Sequence, residues 1–277
     1  KETFCIQEDK NQITLENKGF KISFDKQNGE ILYWKYDGFE VISDRKGSPH
    51  YNNNRWIEND KHGDSISGEL ASTCEIKLNK EKTKAEIKIT TKGEKCPYTI
   101  EYTVYSNNIV DMKVTMNPIV EGLRRLGLGM IFSKDFEEID YYAKGPWENY
   151  NDRQEASFVG RYSTTVSDML TPYAHPQSCG NRQEMREIFL YKKGSTKGLK
   201  IEANQPIAFS MLHFDDKDFN KEKLHPWELE AREEVYAHFD FVQRGLGNGS
   251  CGPQTIEKYQ VPSSGTYSFT LRFSPLR

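Results

Sequence analysis

The stretch "GPWENYNDR" (145–153) carries the residue types that proteins use to bind sugars. Trp147 offers an aromatic face, Arg153 offers a planar set of hydrogen-bond donors, and Glu148 and Asn149 offer acceptors. Gly145-Pro146 restricts the backbone just before them. The stretch therefore predicts either a sugar-contacting loop or a rigid corner, in which Trp147 is buried against a neighbouring strand and Arg153 bonds carbonyl groups.

A second dense polar stretch, "YAHPQSCGNR" (173–182), contains His175, Gln177, Asn181 and Arg182. Asn and Gln side chains bond neutral hydroxyl groups without needing a counter-ion, which suits a saccharide better than a phosphate or a carboxylate. Aromatic side chains of the two stretches, Trp147, Tyr150 and Tyr173, are expected to supply stacking faces for a sugar, although most aromatic residues of a β protein fill its core.

Carboxylates alone do not identify a catalytic site in this sequence. Glycoside hydrolysis needs two carboxyl groups at a defined separation, and any two of the 41 acidic residues could meet in the fold. Glu148 and Asp152 are the candidates best placed by context. If residues 145–153 form a turn, Glu148 is expected to bind backbone amides rather than to transfer a proton.

Other motifs do not support common active sites. The sequence "GNGSCG" (247–252) matches the spacing of a dinucleotide-binding loop, but Pro253 and the strand-like "QTIEKYQVP" follow it where a helix is required. The acidic stretch 216–222 lacks the glycine and the closing glutamate of a calcium loop, and we expect it to be a solvated loop. The histidines and cysteines show no metal-ligand spacing.

Composition excludes two classes of partner. The 277 residues contain 38 basic and 41 acidic side chains, so no basic field is available for nucleic acid. No apolar run is long enough for a transmembrane helix, which predicts a soluble protein and leaves a cytoplasmic or a periplasmic location open. Because the chain starts at Lys1 and not at Met, we expect that it is part of a longer precursor.

The elements that must position these residues are β-strands. Apolar and polar residues alternate in four segments, which start at Ala85, Ile100, Val110 and Tyr267, and turn-forming residues separate them. This pattern predicts an all-β fold, a large antiparallel sandwich formed by one domain over residues 1–277, with residues 1–14 as a lead-in strand or linker. One or two helical turns are expected within 221–232, where Pro226 suits a first turn.

Three long motifs give the sequence a resemblance to a known family. They are "GPWENYNDR" (145–153), "DMLTPYAHPQSCGNR" (168–182) and "GLGNGSCGP" (245–253), preceded by "GFKISFDKQNGEILYWKYDGFEVI" and "SPHYNNNRW" near the N-terminus. In this order they resemble the C-terminal, small-chain domain of LacZ-type β-galactosidases of glycoside hydrolase family 2. The resemblance spans roughly residues 15 to 275.

This resemblance implies a β-supersandwich related to the galactose mutarotase fold, with no cofactor in this chain. In the family both catalytic carboxylates lie on a separate (β/α)₈ barrel, so the chain is expected to be a non-catalytic domain that packs on that barrel and contacts the galactoside cleft. It leaves open whether the full enzyme is a homo-oligomer. The residues expected at the rim of the cleft are Trp147, Glu148, Asn149, Arg153, His175, Gln177, Asn181, Arg182 and Cys251.

The sequence departs from the family at several positions. Cys251 stands where well-known members place a Trp, Ser178 and Cys179 replace a Glu and an Asn, and Asn52, Asn53 and Asn54 replace an acidic motif. Three alternatives stay open: a freestanding carbohydrate-binding module, a purely structural interface domain and an aldose 1-epimerase. The residues fit the epimerase least. The positions comparable with epimerase acids and bases hold Gln177, Asn181, Ser250 and Cys251, and neither amide exchanges protons at neutral pH.

Overall fold

A computed structural model describes residues 2–58, 72–248 and 252–276 of the chain. Its first sheet has five antiparallel strands that are neighbours in chain order. They are β1 (Cys5–Glu8), β2 (Gln12–Asn17), β3 (Phe20–Asp25), β4 (Ile31–Tyr36) and β5 (Phe39–Ile42). The segment 1–14 therefore contributes β1 and the start of β2 to this sheet.

The second sheet has twelve strands within the described residues. They are β6 (His50–Tyr51), β7 (Ser72–Leu78), β8 (Lys84–Thr91), β9 (Tyr98–Tyr105), β10 (Val110–Met116), β11 (Arg125–Phe132), β12 (Phe136–Gly145), β13 (Phe158–Thr165), β14 (Arg182–Lys192), β15 (Gly198–Leu212), β16 (Val235–Gln243) and β17 (Tyr267–Leu276). Their main order is β13-β12-β14-β15-β17-β10-β9-β8-β7. Strand β16 pairs with β15 and β11, and β6 pairs with β11.

The alternating segments are strands, as predicted. In β8, β9 and β10 every second residue is buried, because successive side chains point to opposite faces of a sheet. In β17 the buried positions are Phe269, Leu271 and Phe273. Alternation thus identifies both the strands and the face that each one buries.

The core lies between the two sheets. Trp34 of β4 meets Phe273 of β17 edge-to-face, with ring centroids 5.3 Å apart, and Phe24 of β3 lies 5.5 Å from Tyr102 of β9. These aromatic contacts join the five-stranded sheet to the large one. The predicted all-β antiparallel sandwich is confirmed.

The expected helical turn within 221–232 is present as one 3₁₀ turn at Pro226–Glu228, which begins with the proline. One local prediction is corrected. The segment after the glycine-rich loop is not a strand, because it contains a 3₁₀ turn at Glu257–Tyr259 between irregular residues. Among the described residues, no helix has the length and apolar character needed to cross a membrane.

Candidate functional site

The two polar stretches of the sequence meet at one end of the large sheet. The first follows β12 and the second precedes β14, and these two strands are paired neighbours. The Asn149 backbone N–H donates to the Asn181 carbonyl at 2.8 Å, and the Asn181 side chain donates to the Asn149 carbonyl at 2.7 Å. The sheet therefore brings 145–153 and 173–182 together, as a shared site requires.

Asn149 is fully buried and supports the loop from within. Its side-chain nitrogen donates to the carbonyls of Lys144 (3.2 Å) and Trp147 (3.0 Å), and its side-chain oxygen accepts from the Gln183 backbone N–H (2.9 Å). Every polar atom of this side chain is thus used inside the protein. Asn149 therefore supports the loop, and its side chain has no exposed surface.

Glu148 is held by four donors, and its side chain is 7% exposed. It accepts from the Arg153 guanidinium (2.5 Å), the Gly180 backbone N–H (2.9 Å), the Tyr150 hydroxyl (3.3 Å) and the Tyr173 hydroxyl. Burial, together with the bond to this carboxylate, raises the pKa of Tyr173 to about 12, so Tyr173 keeps its proton and remains a donor. The predicted role in binding backbone amides is confirmed for one amide, that of Gly180.

The rigid-corner interpretation is wrong about two side chains. Trp147 is 74% exposed and does not pack against a neighbouring strand. The Arg153 side chain bonds Glu148 and the Tyr173 hydroxyl rather than carbonyl groups. Tyr150 is buried beneath the Arg153 guanidinium, which lies 5.2 Å from its ring centroid, so Tyr150 offers no stacking face to a ligand.

His175 and Gln177 contact the segment that precedes the undescribed residues 59–71. The His175 ring lies 2.8 Å from the Glu58 carboxylate and packs edge-on against Trp56. The Gln177 side-chain oxygen accepts from the Glu58 backbone N–H at 2.9 Å. Both side chains are half-buried, so each keeps part of its surface for a ligand.

Asn181 and Arg182 are buried and connect segments of the site to each other. The Asn181 side-chain oxygen accepts from Gln243 (3.2 Å), and Arg182 donates to the carbonyls of Gly180 (2.9 Å) and Pro146 (3.1 Å). Of the predicted rim residues, Trp147, Arg153, His175 and Gln177 reach the surface, whereas Glu148, Asn149, Asn181 and Arg182 lie beneath it. Cys251 lies outside the described residues.

A cavity of about 150 Å³ opens where these segments meet the loop after β16. Its walls include Tyr150, Arg153, Tyr173, Gln177, Leu246 and Gly247. Asp152 fixes that loop by accepting from the backbone N–H groups of Leu246 (3.0 Å) and Gly247 (2.8 Å). The cavity offers amide, phenol and guanidinium groups, which bond hydroxyl groups but do not carry out acid–base chemistry at neutral pH.

Beneath the site lies a buried polar network that sequence reasoning missed. Arg125 of β11 pairs with Asp240 of β16 at 2.7 Å, and both side chains are almost fully buried. The side-chain oxygen of Asn53 accepts from the backbone N–H groups of Arg124 and Arg125, and Arg55 donates to Gln243 (3.1 Å). Charged and amide residues inside the otherwise apolar strands β11 and β16 could have indicated this network from the sequence.

The sequence predicts that the acidic stretch 216–222 is a solvated loop, and this is wrong for Asp216. Asp216 lies 2.9 Å from His238 and accepts from the Asn52 side chain at 3.2 Å. Burial raises the pKa of Asp216, but His238 and Arg125 outweigh that effect and hold it below the ordinary value. Among the residues that the structure describes, no group of three or more His, Cys, Asp or Glu side chains could hold a metal ion.

Comparisons with known proteins show what the chain is similar to. Residues 16–273 match the family described as "Beta galactosidase small chain". The β-galactosidases of Staphylococcus xylosus (32% identity over 152 residues, 54% of this chain), Actinobacillus pleuropneumoniae (23% over 285 residues, 99%) and Lactococcus lactis subsp. lactis strain IL1403 (26% over 297 residues, 98%) are relatives. The matched regions cover 15%, 27% and 29% of these proteins, so the chain spans less than a third of their length.

Among solved structures, a galactose 1-epimerase from Lactobacillus acidophilus NCFM aligns with a TM-score of 0.54. The alignment covers 100% of this chain and 99% of the epimerase, at 12% identity. Identity at this level shows the fold alone. The fold is galactose mutarotase-like, as the resemblance implied.

Proposed function

Because this chain belongs to the β-galactosidase small-chain family, we propose that it is the non-catalytic C-terminal domain of a family 2 β-galactosidase. In this proposal the domain packs on the catalytic barrel of the same enzyme and forms part of the rim of its galactoside cleft. The length of the relatives supports a larger enzyme, since more than two thirds of each lies outside the region matched here.

The observation that carries the non-catalytic role is the bonding of the two candidate carboxylates. Glu148 is buried and accepts from four donors, and Asp152 accepts from two backbone N–H groups. A nucleophilic carboxylate must face the anomeric carbon, and an acid must hold a proton that it can release. Carboxylates engaged in this way instead stabilise the loops, which supports placing the catalytic pair elsewhere in the enzyme.

The exposed residues of the site support a role in contacting sugar. Trp147 presents an open aromatic ring, and Arg153, held by Glu148 and Tyr173, presents its remaining donors beside a small cavity. An aromatic face with fixed hydrogen-bond donors suits the mixed apolar and hydroxyl surface of a pyranose ring. The expected contribution is weak binding and orientation of the galactoside.

A proton-NMR time course of the chain with lactose, recorded with saturation transfer, tests the proposal. We expect transfer to lactose without the release of galactose, because the chain contacts sugar but lacks the catalytic pair. Release of galactose that disappears in Glu148→Gln would overturn the non-catalytic role. If no saturation transfer to lactose is observed, the chain does not contact the sugar, and the remaining interpretation is a structural interface domain.

A freestanding carbohydrate-binding module is the second candidate, favoured by the exposure of Trp147. This candidate predicts that the chain alone binds sugar as tightly as the whole enzyme does, whereas the first proposal predicts weaker binding by the chain. Titrating galactose into the chain, and into the full-length protein if a barrel precedes it, separates the two. An epimerase is a poorer candidate, because Gln177 and Asn181 cannot exchange protons, and polarimetry should show no acceleration of anomer exchange.

A further inference from the structure

Arg153 is the one charged residue among the described residues that line the small cavity of the candidate site. Its side chain is 50% exposed, and its bonds to Glu148 and to the Tyr173 hydroxyl both come from Nη2. Within the part of the chain that the structure describes, Nη1 and Nε have no hydrogen-bond partner, so these donors remain for a ligand. A sugar in the cavity therefore lies beside this guanidinium.

Glu148 carries the charge that compensates Arg153. Glu148 Oε1 lies 2.5 Å from Arg153 Nη2, and the Glu148 side chain is only 7% exposed. Glu148 does not belong to the residues that line the cavity, so it acts on a ligand through its charge and not by contact. Two opposite charges at hydrogen-bond distance cancel most of each other's field, whereas an unpaired guanidinium attracts a carboxylate strongly.

The other charges of the two polar stretches keep this balance. The stretches contain two basic and two acidic side chains, Arg153, Arg182, Glu148 and Asp152. Asp152 accepts from two backbone N–H groups of the loop after β16, and Arg182 donates to two carbonyls. The His175 ring lies beside the Glu58 carboxylate, and neither residue lines the cavity. The site therefore presents hydrogen-bond donors with little net charge.

A site of this kind discriminates between sugars by their charge. A carboxylated sugar loses hydration when it enters the cavity, and it gains little from a guanidinium whose charge is already compensated. A neutral sugar accepts hydrogen bonds from Arg153 without that cost. We propose that Glu148 is a specificity-determining residue, which makes the site select neutral sugars over acidic ones by compensating Arg153. This selection rests on the sugar contact of the proposed function and adds the class of sugar that the site accepts.

Three sugars that differ only in the group at carbon 6 test this proposal. Galactose is neutral there, galacturonate is acidic, and 6-amino-6-deoxygalactose is basic. Each is titrated into the ¹⁵N-labelled chain at low salt, and the backbone amide signals of Gln177 and Gly247, which line the cavity, report binding. For the unsubstituted chain we expect a dissociation constant on the order of 1–10 mM with galactose, and weaker binding of galacturonate.

Glu148→Gln removes the charge and keeps the size of the side chain. The uncompensated Arg153 should then bind galacturonate about tenfold more tightly than in the unsubstituted chain, because a carboxylate forms a charge-assisted hydrogen bond with it. The affinity for galactose should change by less than about twofold. The effect therefore appears in the ratio of the two affinities, which a general loosening of the site does not raise.

Arg153→Gln tests the same balance from the other side, and it is expected to fold because the Arg153 side chain is half exposed. It leaves the charge of Glu148 uncompensated, so the amino sugar should bind about fivefold more tightly than in the unsubstituted chain, and galacturonate more weakly. The double variant Glu148→Gln/Arg153→Gln carries neither charge. Its ratio of galacturonate to galactose affinity should return to that of the unsubstituted chain.

Asp111→Asn is the matched control for Glu148→Gln. Asp111 pairs with Arg272, whose side chain is also 50% exposed but does not line the cavity. This variant should leave the affinities for all three sugars unchanged. A gain for galacturonate as large as that of Glu148→Gln would mean that any unpaired arginine produces the effect, and it would overturn the proposal.

The same titrations distinguish failure of this proposal from failure of the proposed function. If galactose shifts the signals of the unsubstituted chain but Glu148→Gln, in its folded state, keeps the same ratio of galacturonate to galactose affinity, Glu148 does not determine specificity. Tighter binding of galacturonate than of galactose by the unsubstituted chain would overturn the proposal as well. If galactose produces no saturable shift in the unsubstituted chain, the sugar contact of the proposed function is itself wrong.

Discussion

Two regions of this molecule are stabilised by different kinds of interaction. Strands β8, β9, β10 and β17 bury every second side chain, and aromatic side chains of β9 and β17 contact those of the five-stranded sheet. The loops 145–153 and 173–182, which form the proposed rim, are held by hydrogen bonds that buried Glu, Asn and Arg side chains accept or donate. Apolar packing depends on volume and tolerates changes of shape, whereas a buried polar network depends on which atom donates and which accepts.

The largest expected effect is in the strand region, from Phe273→Ala. Phe273 is almost fully buried, lies between Val110 and Ile201 on the neighbouring strands, and contacts Trp34 edge-to-face. Removing the ring leaves a cavity, so the free energy of unfolding should fall by about 3–5 kcal/mol. Urea denaturation measures this change.

Phe273→Leu is the matched control for that substitution, because it keeps an apolar side chain and most of the volume. We expect it to cost clearly less than Phe273→Ala. Equal losses from the two variants would mean that the ring geometry, and not the filled volume, stabilises this region, and the comparison between the two regions would fail.

In the rim, Asn149→Ala should lower the free energy of unfolding by about 2–4 kcal/mol. The substitution leaves the carbonyls of Lys144 and Trp147 and the N–H of Gln183 without a partner, and each such group costs about 1–3 kcal/mol if it stays dry. The measurement is again chemical denaturation, with Asn204→Ala as control. Asn204 is exposed and accepts one backbone N–H from Thr270, so its loss should cost under about 1 kcal/mol.

Asn149→Asp sharpens this test, because the side chain keeps its size and changes only its donors. The carboxylate would place oxygen against the carbonyls of Lys144 and Trp147, so we expect a loss at least as large as that of Asn149→Ala. A small effect of Asn149→Asp would show that volume alone governs the rim as well.

The difference between the regions also explains what the sequence could predict. Alternation at Ala85, Ile100 and Val110 is a local signal, so both the strands and their buried faces follow from it. The bonds of the rim join residues distant in sequence, such as Asn149 with Asn181 and Glu148 with Tyr173, and no periodicity encodes such pairs. The motifs therefore predicted two segments that the fold brings together, but they did not distinguish buried side chains from exposed ones.

The pH dependence of stability tests another polar contact, that of Asp216 with His238. The pKa of Asp216 is lower in the folded chain than its ordinary value of 3.8, so its contribution is present above that value and is lost as the pH falls through the folded pKa. We expect the free energy of unfolding to decrease as the pH falls below about 4, where this carboxylate takes up a proton.

In Asp216→Asn that part of the pH dependence should disappear, whereas Asp168→Asn, at an exposed position, should retain it. Denaturation curves between pH 6 and pH 2.5 compare the variants. If Asp216→Asn loses as much unfolding free energy at low pH as the unsubstituted chain, the bonds to His238 and Asn52 do not stabilise the charged carboxylate.

The smallest expected effect on stability is that of Trp147→Ala, within about 0.5 kcal/mol, because a side chain that is 74% exposed contributes little packing. The same substitution should remove most of the saturation transfer to lactose, which separates a contact residue from the supports beneath it. Trp227→Ala is the matched control, since Trp227 is 77% exposed on the Pro226–Glu228 turn and should change neither quantity. If Trp147→Ala unfolds the chain instead, Trp147 has a structural role, and the proposed sugar-contacting rim loses its principal residue.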